Sequence, residues 1–114
     1  MQTRTAHLAL GAAGEEAAAR HLNSLGWHVR DRNWRPEGAA KGLELDLVAE
    51  HGTTLVFVEV KTRRVPVSGA GRQPERIPVY ASFTPAKQAK LVRAARHYLA
   101  VYALWERPCR FDLI

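Results

Sequence analysis

The chain has 114 residues, a length that suits one domain whose core needs no disulfide support. Its single cysteine, Cys109, excludes an internal disulfide and a cysteine-based metal cluster. The net charge of +6 fits a polyanionic partner, although many basic proteins only carry a solvated charged surface. The apolar stretch 7–13 is too short to span a membrane and lacks a cationic flank, so we expect a cytoplasmic protein without membrane contact.

The first predicted element is a helix from about Thr5 to Leu25, which ends at Gly26 as a glycine C-cap. Its inner stripe is made of Ala18, Ala19 and Leu22, and Glu15 lies on the same stripe. An acid near the start of a helix either complements the helix dipole or has a functional partner. Both explanations of Glu15 stay open on the residues alone.

A strand is predicted next at Trp27–Trp34, because its side chains alternate between two faces. Trp27 and Val29, with Asp31, are expected opposite His28 and Arg30. The two tryptophans are expected to be core residues rather than base-stacking groups. A turn-rich loop, 35–42, follows this strand.

The stretch 43–61 predicts a β-hairpin, because two apolar runs flank the turn Glu50–Thr53. Side chains alternate along a strand, so each arm should gather its charges on one face. On the first arm, one face carries Leu43, Leu45 and Leu47, and the other carries Glu44, Asp46 and Val48. On the second arm, one face carries Val56, Val58 and Val60, and the other carries Leu55, Phe57, Glu59 and Lys61.

A two-residue loop at either His51-Gly52 or Gly52-Thr53 keeps the two charged faces together. Glu59 then lies opposite or diagonal to Asp46, about 5 to 8 Å away, and Lys61 joins them. Such a cluster beside apolar strands is either a group of salt bridges or a metal site. Taken alone, Glu59-Val60-Lys61 is more often an ordinary charged strand end than a catalytic motif. The presence of Asp46 on the same face favours a catalytic metal site.

The chemistry of this cluster points to a hard divalent cation. Carboxylate oxygens suit Mg²⁺ or Mn²⁺, which leave positions for water and for a substrate phosphate. With Asp46 and Glu59 holding the ion and Lys61 at the attacking water, the arrangement is typical of phosphodiester cleavage. The pattern therefore predicts metal-dependent hydrolysis of nucleic acid.

The segment 62–83 is rich in proline, glycine and arginine, and it follows the proposed catalytic lysine. It is expected to be either a flexible arm that contacts phosphates or a disordered insertion.

Thr84 and Pro85 mark the N-cap and first residue of a second helix that is expected to reach about Leu104. Its inner stripe should hold Lys87, Leu91, Ala94 or Ala95, Tyr98 and Tyr102, with Lys90, Arg93 and Arg96 outside. Lys87 either extends to solvent or reaches a substrate phosphate. A last strand, Cys109–Ile114, is expected beside the second hairpin arm.

Two sets of motifs carry a family resemblance. Asp46 followed across a hairpin by Glu59-Val60-Lys61 resembles the PD-(D/E)xK nuclease superfamily. The bacterial YraN-like family resembles this chain at Gly14-Glu15 with Ala18, Arg32-Asn33, Glu44–Val48, Phe57–Arg63, Lys87 and Arg110–Asp112. Leu43 stands where that family usually has glycine, and Leu45 stands where proline often precedes the metal-binding aspartate.

The resemblance implies one α/β domain over residues 1–114, with a restriction-endonuclease-like mixed sheet flanked by helices. The helices and strands are expected in the order αβββαβ, and the fold is expected to be similar to that of archaeal Holliday-junction resolvases. It implies that Glu15 completes the metal site directly or through water and that the Val60 carbonyl is a further ligand. It also implies a supporting role for Glu44 and a phosphate contact for Lys87.

The expected activity is that of a PD-(D/E)xK endonuclease that uses Mg²⁺ or Mn²⁺ and cleaves DNA rather than RNA. Branched or junction DNA is suggested by the fold resemblance alone. The expected nucleic-acid contacts are Arg63, Arg64, Arg72, Arg76, Lys87, Lys90 and Arg93. A homodimer stays open, as do two other functions: a nucleic-acid-binding module without turnover, and an adaptor whose basic helix meets an acidic partner protein.

Overall fold

The computed structural model describes residues 3–38, 42–61 and 83–114. Its elements, in chain order, are α1 (Thr3–Ser24), β1 (His28–Trp34), β2 (Leu45–His51), β3 (Thr54–Glu59), α2 (Pro85–Val101) and β4 (Cys109–Leu113). Over the described residues, the predicted order αβββαβ is confirmed. The predicted phosphate-contacting arm lies outside the described residues, apart from its last residue, Phe83. None of the helices described is both long and apolar enough to cross a membrane.

The four strands form one mixed sheet in the order β1-β2-β3-β4. β2 is antiparallel to β1 and to β3, whereas β4 runs parallel to β3. β4 therefore pairs with the second arm of the hairpin, as predicted. A four-stranded mixed sheet with two helices is the α/β architecture expected of a restriction-endonuclease-like fold.

The hairpin between β2 and β3 closes through the two-residue loop Gly52-Thr53, because His51 pairs with Thr54. Gly52 has a φ of +61° at the first loop position, where a type II′ turn needs the left-handed freedom of glycine. Of the two loops that the sequence allowed, the structure has the second.

The two helices cover opposite faces of the sheet. Along β3, Leu55 and Phe57 pack with Leu91 and Tyr98 of α2. Their alternate neighbours Val56 and Val58 pack with the inner stripe of α1, which is Ala18, Ala19 and Leu22. The predicted alternation of β3 is therefore confirmed. Since both faces are covered, β2 and β3 are the apolar centre of the fold.

The predicted single face for Leu43, Leu45 and Leu47 is wrong. Leu43 and Leu45 pack with α2, whereas Leu47 packs with α1. The pairing of Trp34 with Leu45 gives the reason, because Trp34 also packs on the α2 side. Asn33, just before it, has a left-handed φ of 50°, which breaks the regular alternation of β1. The two paired strands change faces together at this end of the sheet.

The sequence predicted the C-terminus of α1 and the N-terminus of α2 correctly, but not the C-terminus of α2. At the end of α1, the amide of Gly26 donates to the Asn23 carbonyl and that of Trp27 to the Leu22 carbonyl, which confirms the glycine C-cap. α2 begins as predicted, with the Thr84 hydroxyl accepting from the Lys87 amide. It ends at Val101 rather than Leu104, because Ala103 takes a left-handed φ of 54°.

Tyr98 joins α2 to β1 through polar contacts inside the apolar core. Its ring is fully buried, and its hydroxyl donates to Asp31 Oδ2 at 2.6 Å and accepts from Arg30 Nε at 3.0 Å. Adjacent residues of a regular strand point to opposite faces, but the register of β1 shifts between Val29 and Asp31. This bulge lets Arg30 and Asp31 reach the same hydroxyl.

We expect Tyr98→Phe to lower the free energy of unfolding by about 2 kcal/mol, because it leaves a half-buried carboxylate and guanidinium without their shared hydroxyl. Urea unfolding followed by circular dichroism measures the change. Tyr102→Phe, at a 41% exposed tyrosine at the C-cap of the same helix, is the matched control and should cost less than about 0.5 kcal/mol. Equal losses in both variants would contradict a special role for the Tyr98 hydroxyl.

Candidate metal centre

The hairpin register positions the first two candidate residues. Leu47 pairs with Val58, so one further step along the ladder sets Asp46 opposite Glu59. The amide of Val60 donates to Asp46 Oδ2 at 2.9 Å, which holds this carboxylate at the end of β3. The predicted proximity of Asp46 and Glu59 on the hairpin is thus present in the structure.

Two further acids approach Asp46 from outside the hairpin. Glu15 comes from α1 and Glu44 directly precedes β2. One carboxylate oxygen from each of Glu15, Glu44 and Asp46 lies within 4.8 Å of the other two. All three residues are partly buried, and Arg35 Nη2 contacts Glu44 Oε2 at 3.2 Å. We call Glu15, Glu44 and Asp46 the carboxylate trio.

Glu59 stands beside this trio and is paired with a lysine. Lys61 Nζ lies 3.5 Å from Glu59 Oε1, and the two side chains are only 20% and 23% exposed. The backbone on both sides of Val60 is held by the last residue of the chain: Lys61 N–H donates to the Ile114 carbonyl, and Ile114 N–H donates to the Glu59 carbonyl. Strand β4 therefore fixes the position of the Glu59-Val60-Lys61 segment.

The acids separate two cavities. The first, of about 240 Å³, is lined by Gly42, Glu44, Asp46, Glu59, Lys61, Lys87, Lys90 and Leu91. The second, of about 690 Å³, is lined by Ala12, Glu15, Asn33, Arg35, Glu44 and Asp46. Glu44 and Asp46 line both, because β2 changes faces where they lie. An ion held by these acids would be open to one cavity with three lysines and to another beside α1.

The pKa values of two acids are raised where the carboxylates crowd together. The pKa of Glu59 is raised to about 7, first by burial and then by the negative charge of Asp46, and the neighbouring Lys61 partly opposes both effects. The pKa of Glu15 is also raised, first by burial and then by the charge of Asp46, against a hydrogen bond from Asn33 that lowers it. Without a cation, the cluster holds more negative charge than its surroundings neutralise.

The donor atoms of this cluster fit a hard divalent cation. They are carboxylate oxygens, which Mg²⁺ and Mn²⁺ prefer, and neither cysteine nor histidine is among them. The carboxylate trio could therefore hold a metal ion, with Glu59 next to it. The roles predicted for the individual residues, including the Val60 carbonyl, stay predictions.

The structure brings most of the predicted residues to one place. Asp46, Glu59, Glu44, Lys61 and Lys87 line the smaller cavity, and Glu15 joins the carboxylate trio. Lys90, expected on the outer face of α2, lines the same cavity. Arg93 lines a separate groove on the outer face of α2. The predicted contacts Arg63, Arg64, Arg72 and Arg76 lie outside the described residues.

Two residues beside the acids had no predicted role. Arg35 pairs with Glu44, and Asn33 lines the larger cavity with Glu15 and lowers the pKa of its carboxyl. Asn33 belongs to a motif of the family resemblance, which was the one available signal. Neither its left-handed φ nor the return of Arg35 towards Glu44 follows from side-chain spacing.

The raised pKa of Glu59 makes stability depend on pH. In the unfolded chain this carboxyl ionises near 4.5, whereas in the folded chain it keeps its proton up to about 7. In EDTA, the free energy of unfolding should therefore fall between these values, by up to about 1.4 kcal/mol per pH unit.

Urea unfolding at pH 5, 6, 7 and 8 measures this fall, and Glu59→Gln should flatten it. Glu16→Gln, which removes an exposed carboxylate on α1, should keep the wild-type slope. A wild-type stability that rises over this interval would contradict the crowding of acids at Glu59.

Comparison with known proteins identifies the family of this chain. The model of the "Uncharacterised protein family UPF0102" matches residues 14–114. A UPF0102 protein of Oleidesulfovibrio alaskensis is 46% identical over 96% of this chain and 48% of its own length. UPF0102 proteins of Myxococcus xanthus and Herminiimonas arsenicoxydans are 43% and 40% identical, over 91% and 97% of this chain and 73% and 79% of their own lengths.

The match to the family model begins just before Glu15 and runs to the end of the chain, so it includes every acid and lysine of the candidate metal centre. The chain spans about half the length of the Oleidesulfovibrio alaskensis relative. On the family model and these identities, the chain belongs to UPF0102, the YraN-like family that its motifs resemble.

Proposed function

We propose that this protein is a Mg²⁺- or Mn²⁺-dependent endonuclease that hydrolyses phosphodiester bonds in DNA. The observation that carries the proposal is the convergence of Asp46, Glu59 and Lys61 on one cavity, with Glu44 on the same wall and Glu15 next to Asp46 in the carboxylate trio. Acids that hold a cation and a lysine that meets a phosphate are the groups that this chemistry needs. Branched or junction DNA enters the proposal only through the fold resemblance.

The acids would hold the ion, with Asp46 as the central ligand because it lies between Glu15 and Glu59. A bound divalent cation supplies Lewis acidity, which polarises the phosphate and lowers the pKa of a coordinated water. The chain's own contribution is to hold these carboxylates in place before substrate arrives. The Val60 amide does this for Asp46, and Arg35 does it for Glu44.

Lys61 would act on the reacting phosphate. Its ammonium is mostly shielded from solvent and faces the cavity that the acids line. There it offsets negative charge that develops on the phosphate, and it orients the attacking water. A cation in a partly buried site stabilises this charge more strongly than one in bulk water.

Lys87 and Lys90 would bind the substrate rather than catalyse. Both lie on the first two turns of α2 and line the cavity opposite the acids. The Lys90 ammonium comes within 3.8 Å of where a Cβ on Gly42 would lie, at the rim of the cavity. Two cations that line the same cavity as the acids suit the phosphates that flank the scissile bond.

If Asp46 is the central ligand, Asp46→Asn should weaken Mn²⁺ binding at least tenfold, because the amide loses the negative charge that the ion needs. Isothermal titration calorimetry at pH 7.5 measures the dissociation constant. Glu106→Gln removes an exposed carboxylate beyond the other end of α2 and should bind Mn²⁺ as the wild type does. Equal affinities for wild type and Asp46→Asn would remove Asp46 from the metal site.

Lys61→Ala should keep DNA binding and lose about 10² to 10³ in cleavage rate, because a charge that acts mainly in the transition state changes turnover rather than ground-state binding. Single-turnover cleavage with Mn²⁺ gives the rate, and anisotropy in EDTA gives the affinity. Lys90→Ala is the matched control and should mainly weaken binding. A folded Lys61→Ala that still cuts at the wild-type rate would exclude Lys61 from the mechanism.

The proposal as a whole is tested with linear, single-stranded, flap and four-way DNA, with and without Mn²⁺. An endonuclease cuts at least one substrate only when the ion is present, and Asp46→Asn does not. A nucleic-acid-binding module shifts the same DNA in EDTA without cutting it in Mn²⁺. An adaptor ignores DNA at physiological salt. The last two results would overturn the proposal.

A further inference from the structure

Helix α2 carries a basic surface that extends well beyond the candidate metal centre. We call Lys87, Lys90, Arg93, Arg96 and His97 the α2 basic surface; every one of them is exposed. No acidic residue occurs in the sequence from Thr84 to Trp105. In the part of the chain that the structure describes, none of these five side chains takes part in an ion pair. Their charge is therefore available to a polyanion.

The four lysines and arginines of this surface follow one another at intervals of three residues. An α-helix turns 100° per residue, so each such step falls about 60° short of a full turn. The row therefore winds from the face of α2 that lines the acidic cavity, at Lys87 and Lys90, to its outer face, at Arg93 and Arg96. It makes one continuous path from the candidate metal centre to a second groove.

That groove, of about 280 Å³, is lined by Arg93, Arg96, His97, Ala100 and Trp105. The left-handed φ of Ala103 reverses the chain after α2, which brings Trp105 back against the outer face of the helix. Trp105 is 59% exposed, although an indole of this size usually contributes to a core. The groove thus combines an exposed aromatic ring with two guanidinium groups and an imidazole.

We propose that α2 binds an unpaired stretch of nucleic acid, with phosphates on its lysines and arginines and one base stacked on Trp105. An exposed aromatic ring among cations is how proteins hold single strands, since every base offers a π face. In a duplex those faces are already covered by neighbouring bases, so the ring selects unpaired nucleotides. The part of this inference that connects the groove with cleavage at the acids rests on the proposed function.

The length of the surface sets the size of the bound segment. Lys87 and Arg96 are nine residues apart, which corresponds to about 14 Å of helix. Because the row also winds about halfway around the helix, the path along its surface is longer than this axial distance, and at about 3.4 Å per stacked nucleotide it takes at least about four nucleotides. An unpaired segment of this length next to the cleaved bond occurs in flaps, gaps and open branch points, so the inference narrows the substrate class of the same site.

The test measures affinity in EDTA, where no cleavage occurs, with an unpaired dT octamer and a 12-base-pair duplex. Trp105→Ala should weaken octamer binding by about five- to a hundredfold and change duplex binding less than twofold. Trp105→Phe, which keeps a ring, should recover most of the affinity. Val101→Ala, at a 61% exposed apolar residue of the same helix, is the matched control and should bind as the wild type does.

The arginines of the groove are tested by the salt dependence of octamer binding. The pair of substitutions Arg93→Gln and Arg96→Gln should reduce the slope of log K against log salt by about 1.4, which corresponds to two lost phosphate contacts on a single strand. An unchanged slope, unchanged octamer affinity of Trp105→Ala, or equal losses on octamer and duplex would overturn the inference. A further control measures binding of polyglutamate. If Trp105→Ala weakened polyglutamate binding as much as octamer binding, the surface would fit an acidic protein and the inference would be overturned.

Failure of this inference is distinguishable from failure of the proposed function. Asp46→Asn, which should not cut, should bind the octamer in EDTA as tightly as the wild type. If Mn²⁺-dependent cutting is present but Trp105→Ala binds the octamer normally, the inference alone fails. If no DNA is cut but the Trp105 effect is present, the endonuclease proposal fails and α2 remains a single-strand binding surface.

Discussion

The register of the β2–β3 hairpin is the constraint on which the rest of the structure depends. The loop Gly52-Thr53 pairs Leu47 with Val58, and this pairing sets Asp46 opposite Glu59. Both strands are covered by helices on their two faces. A shift of the β2–β3 pairing by one residue would move side chains to the opposite face and place a charged side chain in an apolar cluster. Apolar burial over the length of the hairpin therefore enforces the position of two acids at its end.

The same burial makes it energetically unfavourable to keep the carboxylates at that end of the sheet ionised when no cation is bound. Burial and the charge of Asp46 both raise the pKa of Glu59, and Glu15 is affected in the same way from α1. The Val60 amide, Lys61 and Arg35 offset part of the negative charge. Sites at which the fold accepts such a cost are more often functional than structural, because a structural site would be more stable with neutral side chains. This physical argument favours a metal ion at the cluster and rests on the geometry alone.

Helix α2 links the core to the proposed binding surface. Leu91 and Tyr98 are buried against the sheet, and the Tyr98 hydroxyl ties the helix to the bulge of β1. The core thereby fixes the position of α2 along its axis and its rotation about that axis. As a result, Lys87 and Lys90 line the acidic cavity, and Arg93 and Arg96 line the outer groove. A single packed helix thus connects the candidate metal centre with the proposed binding surface for unpaired nucleotides.

The sequence by itself determined whatever depends on neighbours along the chain. Alternation in β3, the glycine turn and the Thr84-Pro85 start of α2 were predictable, and with them the proximity of Asp46, Glu59 and Lys61, because these follow from strand period and loop length. Glu15 came from the family resemblance. Only the tertiary structure decided that Leu45 and Leu47 pack on opposite faces and that Lys90 reaches the cavity. The left-handed Asn33 and Ala103 redirect β1 and the chain after α2. Neither is a glycine; asparagine is only a weak local signal for this conformation, and alanine is none. These features depend on how helices pack on a twisted sheet, and side-chain spacing along one segment does not contain that information.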